Sequence, residues 1–165
     1  RNLEYKRSPH DSCTHIPLII KGGKFVGGES VKDIVSLIDL PATLLDMANI
    51  EIPKTYSGIS LQSDVKRDHA FIQISESQVG RAIRTKDYLY SIRAVGIGYI
   101  KAKAKVYFED YLYDVNNDPC QKVNLIKDKK YKEIRNTLKA QIQAQMVEIG
   151  EAKPIILPAK KKKKK

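Results

Sequence analysis

The 165 residues suit one domain or a large part of a bigger one, enough to bury roughly 70% of the unfolded surface. The apolar share of 42% is ordinary for a globular chain, and no stretch approaches the ~20 apolar residues of a membrane-spanning helix. Six of the +11 net charges sit in the lysine run 160–165, which leaves an unremarkable +5 on the rest and excludes a uniformly basic surface.

In chain order, residues 17–20 form a short apolar run before Lys21-Gly22-Gly23, which predicts a buried strand ending in a turn. Gly27-Gly28 marks a second turn, and residues 34–38 are again short and apolar. Asp39 is placed to cap a helix in which Pro41 is tolerated, since its missing N–H falls in the unpaired first turn. Leu40, Thr43, Leu44 and Met47 would share one side of it. Asn49 then supplies a left-handed stop and Pro53 prevents resumption. Residues 54–68 are polar and irregular, as a segment crossing between two parts of a fold would be.

Beyond that point the pattern is one of strands, expected at 70–74, 80–85, 88–92 and 105–113, with a hairpin turn at Lys86-Asp87. Asn116-Asn117-Asp118-Pro119 is a turn: Asn and Asp bond their own backbone, and proline disfavours helix in the residue before it. Residues 131–149 carry the clearest helical pattern, with Tyr131, Ile134, Leu138, Ile142, Met146 and Ile149 on one stripe. Gly150 ends that helix, and Pro154 and Pro158 keep the remainder extended. A small antiparallel sheet covered by this helix is the natural assembly.

Cys13 and Cys120 lie far apart with no CxxC pair, so two buried or half-buried thiols are expected, with no zinc site or disulfide framework. They assign no compartment. The opening Arg1-Asn2-Leu3-Glu4, without an initiator Met or an apolar leader, is expected of a fragment or processed product. The lysine run is either a polyanion contact for nucleic acid, membrane or sulfated glycan, or a solvated end.

Chemistry-bearing groups concentrate in the first fifteen residues: Lys6, Arg7, His10, Asp11 and His15. An ammonium beside an imidazolium suits a sulfate or phosphate oxyanion, while the plainer reading is a basic surface loop with two ordinary histidines. His69 has no such neighbours and is given no role. No phosphate-cradling glycine loop is present, and Asp114 and Asp118 belong to a turn, so no carboxylate cage for a metal is read.

The order of the residues adds more. Lys6-Arg7-Ser8-Pro9-His10-Asp11-Ser12-Cys13-Thr14-His15-Ile16-Pro17-Leu18-Ile19-Ile20 resembles the sulfatase segment in which a lysine precedes an acid and a "THVPLI" strand. Val35-Ser36-Leu37-Ile38-Asp39-Leu40-Pro41-Ala42-Thr43-Leu44-Leu45-Asp46 is similar to that family's "VSLVDLxPTLLD" helix, with the proline one place early. Tyr56-Ser57-Gly58-Ile59-Ser60-Leu61 resembles its "xxGxSL", and Leu112-Tyr113-Asp114, Asp118-Pro119 and Asn124-Leu125 resemble "LYDLxxDPxExxNL", with Gln121 where an acid is usual.

The resemblance to sulfatases implies an alkaline-phosphatase-like α/β fold, here its C-terminal part: the end of the main α/β layer plus a small antiparallel sheet covered by a C-terminal helix. Its expected divisions are 1–53 for the main layer, 54–68 for a linker, 69–150 for the sheet-and-helix subdomain and 151–165 for an extended tail. It implies a formylglycine nucleophile and a calcium ion in the full-length parent, neither of them supplied by this chain, since Cys13 does not stand in a C/S-x-P-x-R motif. Lys6 matches the sulfate-binding lysine and His10 lies nearby. Residues 73–84, with Glu76, Gln78, Arg81 and Arg84, resemble either the part of the subdomain that reaches the substrate, with Arg81 as the candidate substrate-binding residue, or a structural hairpin. The implied partner is a sulfated small molecule or glycan, and the missing N-terminal part would complete catalysis. A phosphate or phosphonate ester hydrolase of the same superfamily, and a non-enzymatic basic module, are the alternatives.

Overall fold

The computed structural model describes residues 7–75, 78–94 and 101–160. The chain divides into two compact units: Ile16–Ala70, and the segment up to His15 together with everything from Phe71 onward.

The larger unit is built on a five-stranded sheet in the order β1 (His69–Ile74), β2 (Gly80–Thr85), β3 (Tyr88–Arg93), β4 (Val106–Asp114), β5 (Ile155–Leu157). Strands β2, β3 and β4 pair antiparallel, whereas β5 lies parallel to β4. The sheet is therefore mixed, and part of the tail expected only to be extended adds its fifth strand. Ile156 of β5 is buried in the core.

Alternation along the strands sorts side chains to two faces. Ile83, Tyr90, Ile92 and Leu112 pack with Leu138, Ile142 and Met146 of helix α3 (Lys132–Glu148). Ala82, Leu89, Tyr113 and Val115 form a second cluster on the other face. A bulge between Ser91 and Ile92 leaves Asp110 unpaired in β4 and changes the parity of that strand. That shift lets Tyr107 and Glu109 share the helix-side face with Leu112, where the Tyr90 hydroxyl meets the Glu109 carboxylate at 3.2 Å. Burial and this carboxylate both push the Tyr90 phenol well above its ordinary value.

Helix α3 is preceded by a 3₁₀ turn, Lys129–Tyr131, capped by the Asp128 side chain. It ends in a Schellman arrangement, with the Gly150 N–H on the Val147 carbonyl and the Glu151 N–H on the Met146 carbonyl. Gly150 takes φ +83°, as that motif requires. The predicted stripe is correct at its centre, but Ile149 is 44% exposed because the chain has already turned away there.

In the smaller unit, α2 (Asp39–Met47) forms as expected, and Asn49 stops it at φ 56°. Its buried face is Asp39, Ala42 and Thr43, while Leu44, placed on the same side as Thr43 by the sequence pattern, is 65% exposed. Asp39 is not the cap: Ile38 holds that position without a side-chain bond, and the Asp39 carboxylate instead accepts from the Ser36 and Ile59 N–H groups and from Arg67. The "GxSL" residues close the unit. The Leu61 N–H donates to Thr43 Oγ1 at 2.9 Å and the Ser60 hydroxyl bonds Asp46. A Cβ on Gly58 would stand 2.0 Å from the Ile38 carbonyl oxygen. Gly58→Ala is expected to cost about 1–3 kcal/mol by overpacking, read as a lowered urea midpoint at unchanged slope.

The strand expected at 17–20 is absent: these residues carry no strand or bridge, and Ile19 is 95% exposed. A β-branched apolar run extends readily, but it becomes a strand only when a neighbour supplies hydrogen bonds. The next apolar run contributes one bridge, Ile34 to Arg67.

Candidate functional site

Residues 7–15 run over the face of the sheet opposite α3 and are fastened there by groups from the approach to β2, from β2 and β4, and from the loop after β4. The Gln78 amide donates to the Arg7 carbonyl at 2.6 Å. The short helix α1 (Asp11–Thr14) follows, and its first residue carries the strongest tie. Arg84 of β2 grips the Asp11 carboxylate with two parallel bonds, Nε to Oδ1 and Nη2 to Oδ2, each 2.9 Å. The Asp11 N–H donates to Gln121 Oε1, also at 2.9 Å. Burial opposes ionisation of Asp11, but the Arg84 guanidinium outweighs it and holds the carboxyl below its usual range.

Between these fastenings lies His10, 6% exposed. Its Nδ1 is hydrogen-bonded to the Ser8 hydroxyl and its Nε2 to the Tyr113 hydroxyl at 3.1 Å. The ring meets Tyr111 edge-on at 4.9 Å between centroids, and Tyr111 stacks on Tyr113 at 5.6 Å. Both ring nitrogens are thus committed to hydroxyls, which fixes the orientation of the imidazole.

The expected site residues do not all converge. Lys6 and Glu76 lie outside the described residues, as do residues 161–165 of the lysine run. Arg81 pairs with Ile92 in the β2–β3 register, on the helix side of the sheet, whereas Arg84 pairs with Leu89 on the side of residues 7–15. Arg81 is 1% exposed, with Nη2 on Glu151 at 2.6 Å and further bonds to the Gly80 and Ala102 carbonyls.

Sequence reasoning missed the supporting groups. Tyr111 and Tyr113 read as strand residues, and their meeting with His10, 103 residues away for Tyr113, leaves no local pattern. Gln121 gave one signal, a departure from the acid usual at its place. It is buried at φ 52° and accepts from the Asp11 backbone. Cys13 is half-buried, but Cys120 is exposed, contrary to expectation, because the turn at Asp118-Pro119 carries it to the surface.

The described residues do not fit a calcium ion, for no three His, Cys, Asp or Glu side chains lie together as a cage. Nor does the setting of Cys13, Ser12-Cys13-Thr14-His15, fit a formylglycine precursor. No helix among the described residues is long and apolar enough to cross a membrane.

Comparison with known proteins agrees with this architecture. The model of the family N-sulphoglucosamine sulphohydrolase, C-terminal, matches residues 3–148. Arylsulfatase K of Homo sapiens is 29% identical over 131 residues, covering 73% of this chain and 24% of that protein. The delta 4,5-hexuronate-2-O-sulfatase of Bacteroides thetaiotaomicron is 29% identical over 141 residues, covering 76% of this chain and 27% of that protein. A crystal structure of a sulfatase from the same bacterium superposes with TM-score 0.54 at 26% identity, covering 67% of this chain and 24% of that one. The chain therefore spans about a quarter of the length of these relatives. With its mixed sheet, its covering helix and a family match over most of its length, this chain belongs to the sulfatases, in the family of N-sulphoglucosamine sulphohydrolase C-terminal regions.

Proposed function

We propose that this chain is the part of a sulfated-sugar sulfatase that supplies the sulfate-binding lysine, Lys6, and holds it in position. The observation that carries this reading is the fastening of residues 7–15 by Arg84, Gln78, Gln121 and Tyr113. On this proposal the ties fix the chain that follows Lys6, which limits the entropy lost when an anion is bound. Its role is to donate to the sulfuryl oxygens as charge develops on them. His10 and Arg84 are positioning residues in this reading, and Arg81, paired with Glu151, supports the sheet from the other face.

The nucleophile and the calcium ligands belong, on this proposal, to a preceding part of the parent protein, so the chain alone does not turn over substrate. The divisions expected at residues 53 and 68 are part of the same reading. Support for sulfated sugars as the substrate class comes from the relatives, one of which is named for a hexuronate sulfate.

The test uses the full-length parent. Lys6→Ala is expected to lower kcat on a sulfated disaccharide by about 10²–10³, with Lys6→Arg recovering part of the loss. A change of less than about threefold would remove Lys6 from the sulfate site. Activity on a phosphate monoester exceeding that on the sulfate would favour the phosphohydrolase alternative.

A further inference from the structure

On the edge of the sheet where β5 joins β4 lies a cleft of about 700 Å³, lined among others by Lys101, Lys103, Lys105, Val106, Phe108 and Glu151. It draws on a sequence feature the site above does not use: Lys101-Ala102-Lys103-Ala104-Lys105, lysines at alternate positions running into β4. The segment bends at Ala102 and Lys105 before β4 begins, and all three lysines line the one cleft.

The backbone behind these lysines is held in place. The Ala102 carbonyl accepts from Arg81 at 3.0 Å and the Ala104 N–H donates to the Tyr107 hydroxyl at 3.0 Å. The Lys105 carbonyl accepts from the Ile155 N–H at 2.9 Å. The three lysine residues themselves are exposed. Among the described residues no carboxylate forms an ion pair with them; the one carboxylate lining the cleft, Glu151, is taken by the buried Arg81. A fourth ammonium, that of Lys160, stands 4.3 Å above the Phe108 ring.

We propose that this cleft is a docking site for a sulfated polysaccharide chain. Lysine ammonium groups, as point charges on flexible stems, suit sulfates whose spacing varies along a polymer. A single-stranded nucleic acid is the poorer occupant, because the aromatic ring of the cleft is covered by Lys160 and offers no open platform on which a base stacks. The choice of a sulfated occupant rests on the sulfatase reading above. The function is to retain the polymer while its sulfate ester is presented elsewhere, so the cleft affects affinity for long substrates and leaves short ones unaffected.

The experiment measures binding of a heparin-derived octasaccharide to the full chain across a salt series, beside a single-stranded DNA of equal charge. In the variant Lys101→Ser/Lys103→Ser/Lys105→Ser, affinity for the octasaccharide is expected to fall at least tenfold, with the log–log salt slope shallower by about 2. The control Lys129→Ser/Lys130→Ser/Lys132→Ser removes the same charge outside the cleft and is expected to change affinity less than threefold, with both variants keeping the wild-type thermal midpoint. Equal losses in the two triple variants, or a loss produced by deleting residues 161–165 and not by the cleft variant, would overturn the proposal. Tighter binding of the DNA than of the octasaccharide would overturn the choice of occupant. The cleft is read by binding of the long chain, and the sulfatase reading by turnover of a short substrate in the Lys6→Ala parent, so failure of the one is distinguishable from failure of the other.

Discussion

Replacing Glu151 by alanine is expected to destabilise the sheet unit by about 3–5 kcal/mol, against a total of about 5–15 kcal/mol for a typical domain. The reason is what the substitution leaves behind. The Arg81 side chain is 1% exposed, and Glu151 Oε1 accepts from both its Nε and its Nη2, at 3.1 and 2.6 Å. Two carbonyls, those of Gly80 and Ala102, satisfy other N–H groups of the fork but do not neutralise its charge. Without the carboxylate a cation remains desolvated beside β2. The double variant Arg81→Met/Glu151→Leu removes both charges and keeps the volume, and it should recover most of the loss. Urea unfolding of the three proteins tests this: a double variant no more stable than Glu151→Ala, with the cation gone and the volume kept, would mean that the orphaned cation is not the cause.

The position of Glu151 also shows what a sequence conveys and what it withholds. Gly150 as the stop of α3 is legible, because a left-handed residue after a long apolar stripe is a local event. The consequence, that the Schellman turn aims Glu151 back at Arg81 seventy residues earlier, is not local and leaves no pattern. The hairpin of β2 and β3 is legible for the same reason as the glycine: its alternation and its two-residue turn lie within one short window. Strand β5 is not, since three residues between prolines carry too few side chains to show a period of two. Residues 17–20 erred in the opposite direction. Their composition reports that they are fit to be covered, but a strand also needs a partner, and nothing in the window supplies one.

The candidate site was legible by residue type and order, not by geometry. Lysine, histidine and aspartate within six positions, followed by an apolar run, carried the resemblance to sulfatases. Arg84 and Arg81 are both basic and both on one predicted strand, and the reading singles out Arg81 as the substrate contact. The structure separates them by parity: an offset of three residues along a strand puts them on opposite faces, so only Arg84 meets Asp11. The lysine alternation at 101–105 is visible in the sequence but carries no role there. Its meaning depends on Glu151 being occupied elsewhere, which is again a long-range fact.

In the smaller unit the largest effect is expected at Asp39. This carboxylate is 1% exposed and serves one neighbouring and two distant pieces of chain. The Ser36 and Ile59 N–H groups each donate to it at 2.8 Å, and Arg67, 28 residues on, adds Nη2 to Oδ1 at 2.5 Å and Nε to Oδ2 at 2.8 Å. Burial opposes its ionisation, but Arg67 and the two N–H groups prevail, and its carboxyl is held below the usual range. A carboxyl whose folded value is depressed stabilises the fold fully above its unfolded value of about 3.9, and the contribution is lost as pH falls through the lower folded value. The stability of Ile16–Ala70 should therefore decline on acidification below about pH 4, and Asp39→Ala should flatten that decline by removing the group that titrates. At pH 7 the same substitution orphans a largely buried guanidinium and two N–H groups, and is expected to cost about 3–5 kcal/mol. Chemical denaturation of both proteins at pH 7 and pH 3 checks the two statements together, since the gap between them must narrow at the lower pH. A gap that stays constant would mean that Asp39 acts by shape and hydrogen bonding alone, and the charge on this carboxylate would lose its place in the account of the unit.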